Sequence, residues 1–406
     1  FVVSLPKHLM NGYRVLDMTH VLAGPSATRL FAEMGAEVIK IEFPPDGDIT
    51  RALPAIKEGR SAYFAQQNRG KRSVCLDVKT TEGKQVLRDL IKISDVFVEN
   101  FAPGVINRLG FSWEDVKIIN PKIIMCSISA FGQEGELSAL PGFDYIAQAY
   151  SGIMGMIGEK DGPPMFPMAG IGDVMTGAHA ACAVGFALLH REKGGEGQYL
   201  DISLLDSYMH CHELNLQVYS AAGVETTRSG HHHWAVCPLG LFKGKDHYIC
   251  IIALQPQWAG VCKAIGRVDL IDDSKYSTNE KRLENSSEVI QIVQSWLDLQ
   301  DSDEAILAAL ESERVPCAPV LSIPEVINHN HMKERGVVRK ISDPKLGEVE
   351  VPGMPLRFSS FEHNQHLETA SLGEHNCEVL NGLLKYSPQK TEELNQSGVL
   401  FRNTET

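Results

Sequence analysis

The chain has 406 residues, 43% of them hydrophobic, which is ample for a large core and suggests two domains rather than one. Its formal net charge of −13 works against nucleic acid, whose binding relies on neutralising many phosphates, and against an anionic membrane surface; a small anionic ligand needs only a local basic patch and stays open. The nine cysteines are scattered and contain no Cys-x-x-Cys pair, so they read as small buried apolar groups in a reducing compartment, and no apolar stretch of about 18 residues is apparent that would span a membrane.

In chain order, the first 200 residues alternate short apolar strands with helical patterns. Strands are expected at Arg14–Asp17, Val38–Glu42, Ser73–Asp77, Asp95–Glu99 and Lys122–Ser127, and helices at Ser26–Met34 and Thr81–Lys92. That alternation predicts an α/β fold with a mostly parallel sheet covered by helices. The loop after the first strand, Leu22-Ala23-Gly24-Pro25, lacks the G-x-G-x-x-G fingerprint, and no Walker A sequence occurs, so ordinary nicotinamide and ATP sites are not expected. The cluster Asn68-Arg69-Gly70-Lys71-Arg72-Ser73 reads either as a phosphate-binding loop or as a solvated one. The segment Glu99-Asn100-Phe101 through Arg108 follows a strand and opens a helix near Pro103. Ligands of open α/β sheets lie beyond the carboxyl ends of strands, so Asn100, Phe101 and Arg108 stand where an amide, a stacking ring and a phosphate-binding cation are useful; the alternative is an ordinary connection.

Further along, Gly170-Ile171-Gly172-Asp173 leads into a helix over Val174–Arg191. Asp173 reads as the helix cap, or as an ionised carboxylate held by the helix N-terminus, with Gly170 and Gly172 leaving room for a ligand; such a carboxylate is a competent nucleophile towards a thioester and a competent base. A strand over Tyr199–Ile202 and a long helix over Leu204–Ser220 follow, then a linker or active-site loop over Gly223–Gly240. Within it, His231-His232-His233-Trp234 invites a metal, but three adjacent extended side chains diverge and no spaced Cys/His partners exist; a substrate-facing histidine fits better, and no metal is expected. His210 and His212 are two apart in a helical pattern and face apart. A hairpin over Leu241–Lys243 and Tyr248–Ile252, then helices, mark a smaller domain, and short strands return after Pro324.

These residues also resemble a known family, the class III CoA-transferases (CaiB/BaiF, formyl-CoA transferase). The matching stretches are Val15-Leu16-Asp17, Ala23-Gly24-Pro25, Gly35 through Glu42, Gly47 through Arg51, Lys71-Arg72-Ser73 with Leu76-Asp77, Glu99 through Gly110, Pro141 through Asp144, Gly172-Asp173 and Gly373-Glu374-His375. The resemblance implies a Rossmann-like parallel-sheet large domain plus a smaller α+β domain, in an interlocked ring homodimer. The corresponding divisions are 1–224, a small domain over 225–330, and 331–406 returning to the large domain. It implies no prosthetic group, with coenzyme A as substrate. CoA would move from succinyl-CoA to a dicarboxylic acid, glutarate or hydroxymethylglutarate, through aspartyl anhydride and aspartyl-CoA thioester intermediates on Asp173, in the mitochondrial matrix. His20, Val21, Lys71, Arg72, Leu76, Asn100, Phe101 and Arg108 would serve the CoA site. The family's racemases place a proton-transferring histidine where this chain has Phe143, which moves no proton, so transfer is favoured over racemisation. Where formyl-CoA transferases have a Gly-rich loop, this chain has Ser229 through Trp234. Arg51, Phe143 and His231, His232 and His233, with Arg60 as a further cation, are therefore the expected acceptor-pocket residues.

Overall fold

The computed structural model describes residues 8–362 and 367–402. The chain forms two compact units. The larger takes the chain up to Ser151, Pro167–Glu213 and the part from Asn330 onward; the smaller takes Gly152–Phe166 and Leu214–His329. The short stretch 152–166 joins the smaller unit because Arg228 holds it, donating from Nε to Gly162 O at 3.0 Å and from Nη1 to Gly155 O at 3.0 Å.

The larger unit is built on six parallel strands: β1 (Arg14–Met18), β2 (Glu37–Glu42), β3 (Lys71–Cys75), β4 (Val96–Glu99), β5 (Ile124–Ser129) and β6 (Gln198–Ser203), in the order β3-β2-β1-β4-β5-β6. That is the order of a doubly wound nucleotide-binding sheet, with its reversal between β1 and β4. The inner strands are nearly continuous apolar runs because helices cover both faces. Helix α1 (Ala23–Glu33) is wholly buried, and α2 (Thr81–Lys92) starts where Thr80 Oγ1 accepts from Gly83 N at 3.0 Å. Val86, Leu87, Leu90 and Ile91 give α2 its buried stripe in the sheet core.

Three further helices shape the site: α3 (Asp144–Tyr150), α4 (Ile171–Glu192) and α5 (Leu204–His210). The helix expected over Leu204–Ser220 is in fact broken: α5 ends at His210, and a second helix runs over Asn215–Ala222. Between them His212 Nε2 is tied to Ser151 O at 2.8 Å, which pulls the chain off the helical path. Helix α4 also corrects the membrane reading. It is 22 residues long and, by length and composition alone, apolar enough to cross a membrane. Its charged residues sit at its ends, leaving the intervening run of Ala, Gly, Val and Leu uncharged; core helices meet the same test, and its stripe Thr176, Gly177, Ala180, Val184 and Ala187 is buried, with α4 packed along α1.

The last segment completes the same core. Val379, Leu380, Leu394, Val399 and Leu400 pack with the sheet residues. Edge strand β3 is covered: His375 N donates to Ser73 O at 3.0 Å, Cys75 N to Asn376 Oδ1 at 2.9 Å and Phe401 N to Cys75 O at 3.1 Å.

The smaller unit centres on an antiparallel sheet in which Tyr248–Ile252 lies between Leu239–Lys243 and Cys317–Pro319, with Tyr248 opposite Lys243. Helices Trp258–Ala264, Ser286–Asp298 and Asp303–Ser312 pack on it around Phe242, Ile249, Trp258 and Val293.

Candidate active site

A pocket of about 260 Å³ opens beyond the carboxyl ends of β1, β4 and β5, at the point where the strand order reverses. Its walls come from His20–Ala23 after β1, Asn100–Pro103 after β4, Ile128–Phe131 at the end of β5, Pro141–Phe143 and Asp173. Among the expected residues, the fold thus brings together His20, Val21, Asn100, Phe101, Phe143 and Asp173.

The loop after β1 is rigidly built. Asn100 uses both ends of its carboxamide on His20: His20 N donates to Oδ1 and Nδ2 donates to His20 O, each at 2.8 Å. Its amide therefore anchors the loop, where the sequence suggested a ligand contact. Val21 has φ +66°, a strained conformation for a β-branched residue, and its N–H donates to Asp48 Oδ1 at 3.3 Å. Lys40 stabilises the same loop, donating to Thr19 O at 2.6 Å and pairing with Asp48 at 2.9 Å. The Phe101 ring lies 5.4 Å from His20 and stacks on Phe43 at 5.7 Å. Burial lowers the pKa of His20.

Asp173 is not the cap of α4. The cap is Gly170, and Asp173 sits in the first turn. The carboxylate of Asp144, from α3, receives the Asp173 N–H at 3.1 Å, and the Tyr208 hydroxyl, from α5, receives the Gly172 N–H at 3.1 Å while donating to Asp144. The helix N-terminus favours the ionised form, but the surroundings oppose it. Burial, reinforced by the negative charge of Asp144, pushes the Asp173 carboxyl up to about 7. Tyr63 is pushed up to about 12 by burial and then by the charges of Asp173 and Asp48. Tyr208 and Tyr63 carry no local sequence signature. The bare Cα of Gly172 was the one signal, and it shows close approach without showing by what.

The other expected residues lie elsewhere. Lys71 is buried and committed: its Nζ is 3.0 Å from Asp17 Oδ2 and donates to Thr28 Oγ1 at 2.7 Å and Asn68 Oδ1 at 2.8 Å. Arg72 pairs with Glu37 at 2.6 Å and Glu378 at 3.5 Å. Leu76 is in the sheet core. Arg108 is exposed on the short helix Val105–Leu109. Arg51 forms a two-pronged pair with Glu42, both bonds at 2.7 Å, and stacks on Phe64, while Arg60 donates to Thr369 O at 2.7 Å. In the smaller unit, His232 and His233 line a cleft of about 410 Å³ with Lys160, Arg228 and Trp234, and His231 Nε2 lies 3.3 Å from Glu159. No group of three His, Cys, Asp or Glu able to hold a metal occurs among the described residues.

A doubly wound sheet with a pocket at its switch point, and an acidic side chain on the pocket wall, is the arrangement of a ligand-binding α/β protein. The sequence pattern of CoA-transferase family III matches residues 10–376, and the chain belongs to that family: it is a CoA-transferase. It is 36% identical to the succinyl-CoA:glutarate CoA-transferase of Mus musculus over 393 residues, covering 96% of this chain and 90% of that one. It is 36% identical to the formyl-CoA:oxalate CoA-transferase of Streptomyces coelicolor over 415 residues, covering 96% and 99%. Among solved structures, a CaiB/BaiF family protein from Brucella suis superposes with a TM-score of 0.82 at 31% identity, covering 93% of this chain and all of that one.

Proposed function

We propose that this CoA-transferase moves CoA from succinyl-CoA to a dicarboxylic acid, glutarate or hydroxymethylglutarate, with Asp173 as nucleophile. The observation that carries the reading is the carboxylate of Asp173 on the wall of the switch-point pocket, partly stripped of water and therefore more basic than a solvated one. An Asp173 oxygen attacks the thioester carbonyl carbon, the C–S bond breaks, and CoA leaves as thiolate, giving a mixed anhydride. The thiolate attacks the aspartyl carbonyl and releases succinate, leaving aspartyl-CoA thioester. The acceptor carboxylate displaces the thiolate to form a second anhydride, and the thiolate then takes the acceptor acyl group and frees Asp173. One thioester is exchanged for another, so the cycle is close to thermoneutral.

The N-terminus of α1 lines the pocket through Leu22 and Ala23 and favours a negative charge there. The pocket walls carry no Lys or Arg among the described residues, so Arg108, exposed on the helix after Phe101, is the proposed cation for CoA phosphate. Arg51 and Arg60 are engaged inside the larger unit, and His231, His232 and His233, expected from the sequence, are kept as the proposed contacts of the acceptor carboxylate. Both substrate names of the mouse relative support this pairing of donor and acceptor.

Chromatography of the acyl-CoA products tests the reading. Succinyl-CoA and glutarate should give glutaryl-CoA with the parent protein and none with Asp173→Asn. In the same assay, His→Ala changes at 231–233 should raise KM for glutarate more than for succinyl-CoA. Glutaryl-CoA from Asp173→Asn would refute the nucleophile; parent protein without product would refute the acceptor.

A further inference from the structure

We infer that Tyr208 is a positioning residue for this reaction: together with Asp144 it fixes the first turn of α4 and thereby aims Asp173 into the pocket. The inference rests on the reading of Asp173 as nucleophile. Tyr208 is 2% exposed and does not line the pocket, so it acts through its neighbours. Its hydroxyl is used twice, accepting from Gly172 N at 3.1 Å and donating to Asp144 Oδ1, while Asp144 Oδ2 accepts from Asp173 N at 3.1 Å. Two of the backbone donors that a helix start leaves without partners are thus satisfied by side chains from two other helices.

Packing supports the same assignment. A Cβ on Gly172 would lie 2.2 Å from Tyr208 Cε2, so the glycine beside the nucleophile is bare because the Tyr208 ring occupies that space. A Cβ on Gly170 would lie 3.4 Å from Asp144 Oδ2 and 3.5 Å from Asp173 Oδ2, which brings both carboxylates to one spot. One residue before Tyr208, Ser207 Oγ is 3.0 Å from His179 Nδ1, a second tie between α5 and α4. Among the described residues, the titratable groups around Asp173 include Asp144 from α3, Tyr208 from α5 and, on the same pocket, His20, while Tyr63 from the helix Ala62–Asn68 feels its charge. Of these, Asp144 raises the basicity of Asp173, and Tyr208 is the donor that holds Asp144 in place. Without the hydroxyl, Asp144 loses one of the two bonds that fix it, its field at Asp173 is held less firmly, and the Gly172 N–H loses its acceptor.

The test is the pH dependence of succinyl-CoA to glutarate transfer by the parent, Tyr208→Phe and Asp144→Asn. Tyr208→Phe should lower kcat about 100-fold, the cost of a small misplacement of a reacting group, with KM for succinyl-CoA unchanged. In both variants the acid limb of kcat/KM should move to lower pH. A fall in kcat with the limb unmoved would make Tyr208 merely structural and overturn the inference, as would an unchanged kcat. Asp144→Asn keeps the side-chain shape, so its limb decides the matter even where circular dichroism shows Tyr208→Phe unfolded. Transfer that survives in Asp173→Asn would refute the nucleophile instead, so the two failures are distinguishable.

Discussion

Asp173 is held in the native state at a cost in stability once it ionises. Its folded pKa of about 7 lies above the unfolded value of 3.8, so the native state binds the proton more tightly. The resulting stability is fully present below pH 4 and is lost as pH rises through 7. Asp173→Asn should therefore be more stable than the parent at pH 8, by at most about 4 kcal/mol, and unfold at a higher temperature there, with the difference gone at pH 4; thermal melts at both pH values check this. Asp17 behaves in the opposite sense. Asp17 is fully buried; burial alone would raise its pKa, but Lys71, Lys40 and the Thr19 and Thr28 hydroxyls outweigh that and hold it well below the usual carboxylate range. Lys71→Ala removes the ammonium 3.0 Å from that charge and should destabilise the protein by about 3–5 kcal/mol, read as a shift in the urea midpoint. A weaker KM for succinyl-CoA with unchanged stability would instead return Lys71 to the CoA site.

At the scale of elements, the approach of α4 to α1 fixes where Asp173 stands. Gly177 lies one turn beyond Asp173, and a Cβ there would sit 2.0 Å from Ser26 Oγ and 2.8 Å from Ala23 O. The residues it touches begin α1, whose first residues line the pocket. Gly177→Ala should push the helices apart, costing about 1–3 kcal/mol of stability in urea unfolding and lowering transfer activity as well. The strands of the parallel sheet and the helices Ala23–Glu33, Thr81–Lys92 and Ile171–Glu192 were legible as periodic patterns, with edges displaced by a few residues, whereas short helices such as Ala62–Asn68, Trp113–Ile119 and Asp144–Tyr150 were not. The break at Cys211–Leu214 was not, because its cause is His212 bonding Ser151, a contact 61 residues away in sequence. The same limit applied at the site. Asn100 and Phe101 could be placed after a strand, but that the Asn100 amide is spent on His20 follows from a pairing of loops 80 residues apart.

For the whole molecule, the larger unit leaves apolar side chains uncovered on neighbouring helices: Phe143, Ile146 and Tyr150 at α3, and Ile171, Val174, Phe186 and Leu189 on α4. Exposed apolar surface on this scale marks a protein interface, and a second copy is the proposed cover, in line with the dimer implied by the family resemblance. Light scattering after size exclusion should give twice the 44.7 kDa chain mass, and Phe186→Glu should shift the protein towards monomer. A parent protein of single-chain mass would refute the dimer.

The sequence by itself determined the α/β class, the strands of the parallel sheet, the family and the acidic residue with two glycines before it, because apolar periodicity and short motifs are local properties of a chain. Tertiary structure alone decided which polar side chains are spent inside the protein: Lys71 on Asp17, Arg51 on Glu42, Asn100 on His20. It also decided the protonation of Asp173, since desolvation and the field of Asp144 depend on what the fold packs around a carboxyl group, and no local pattern records that.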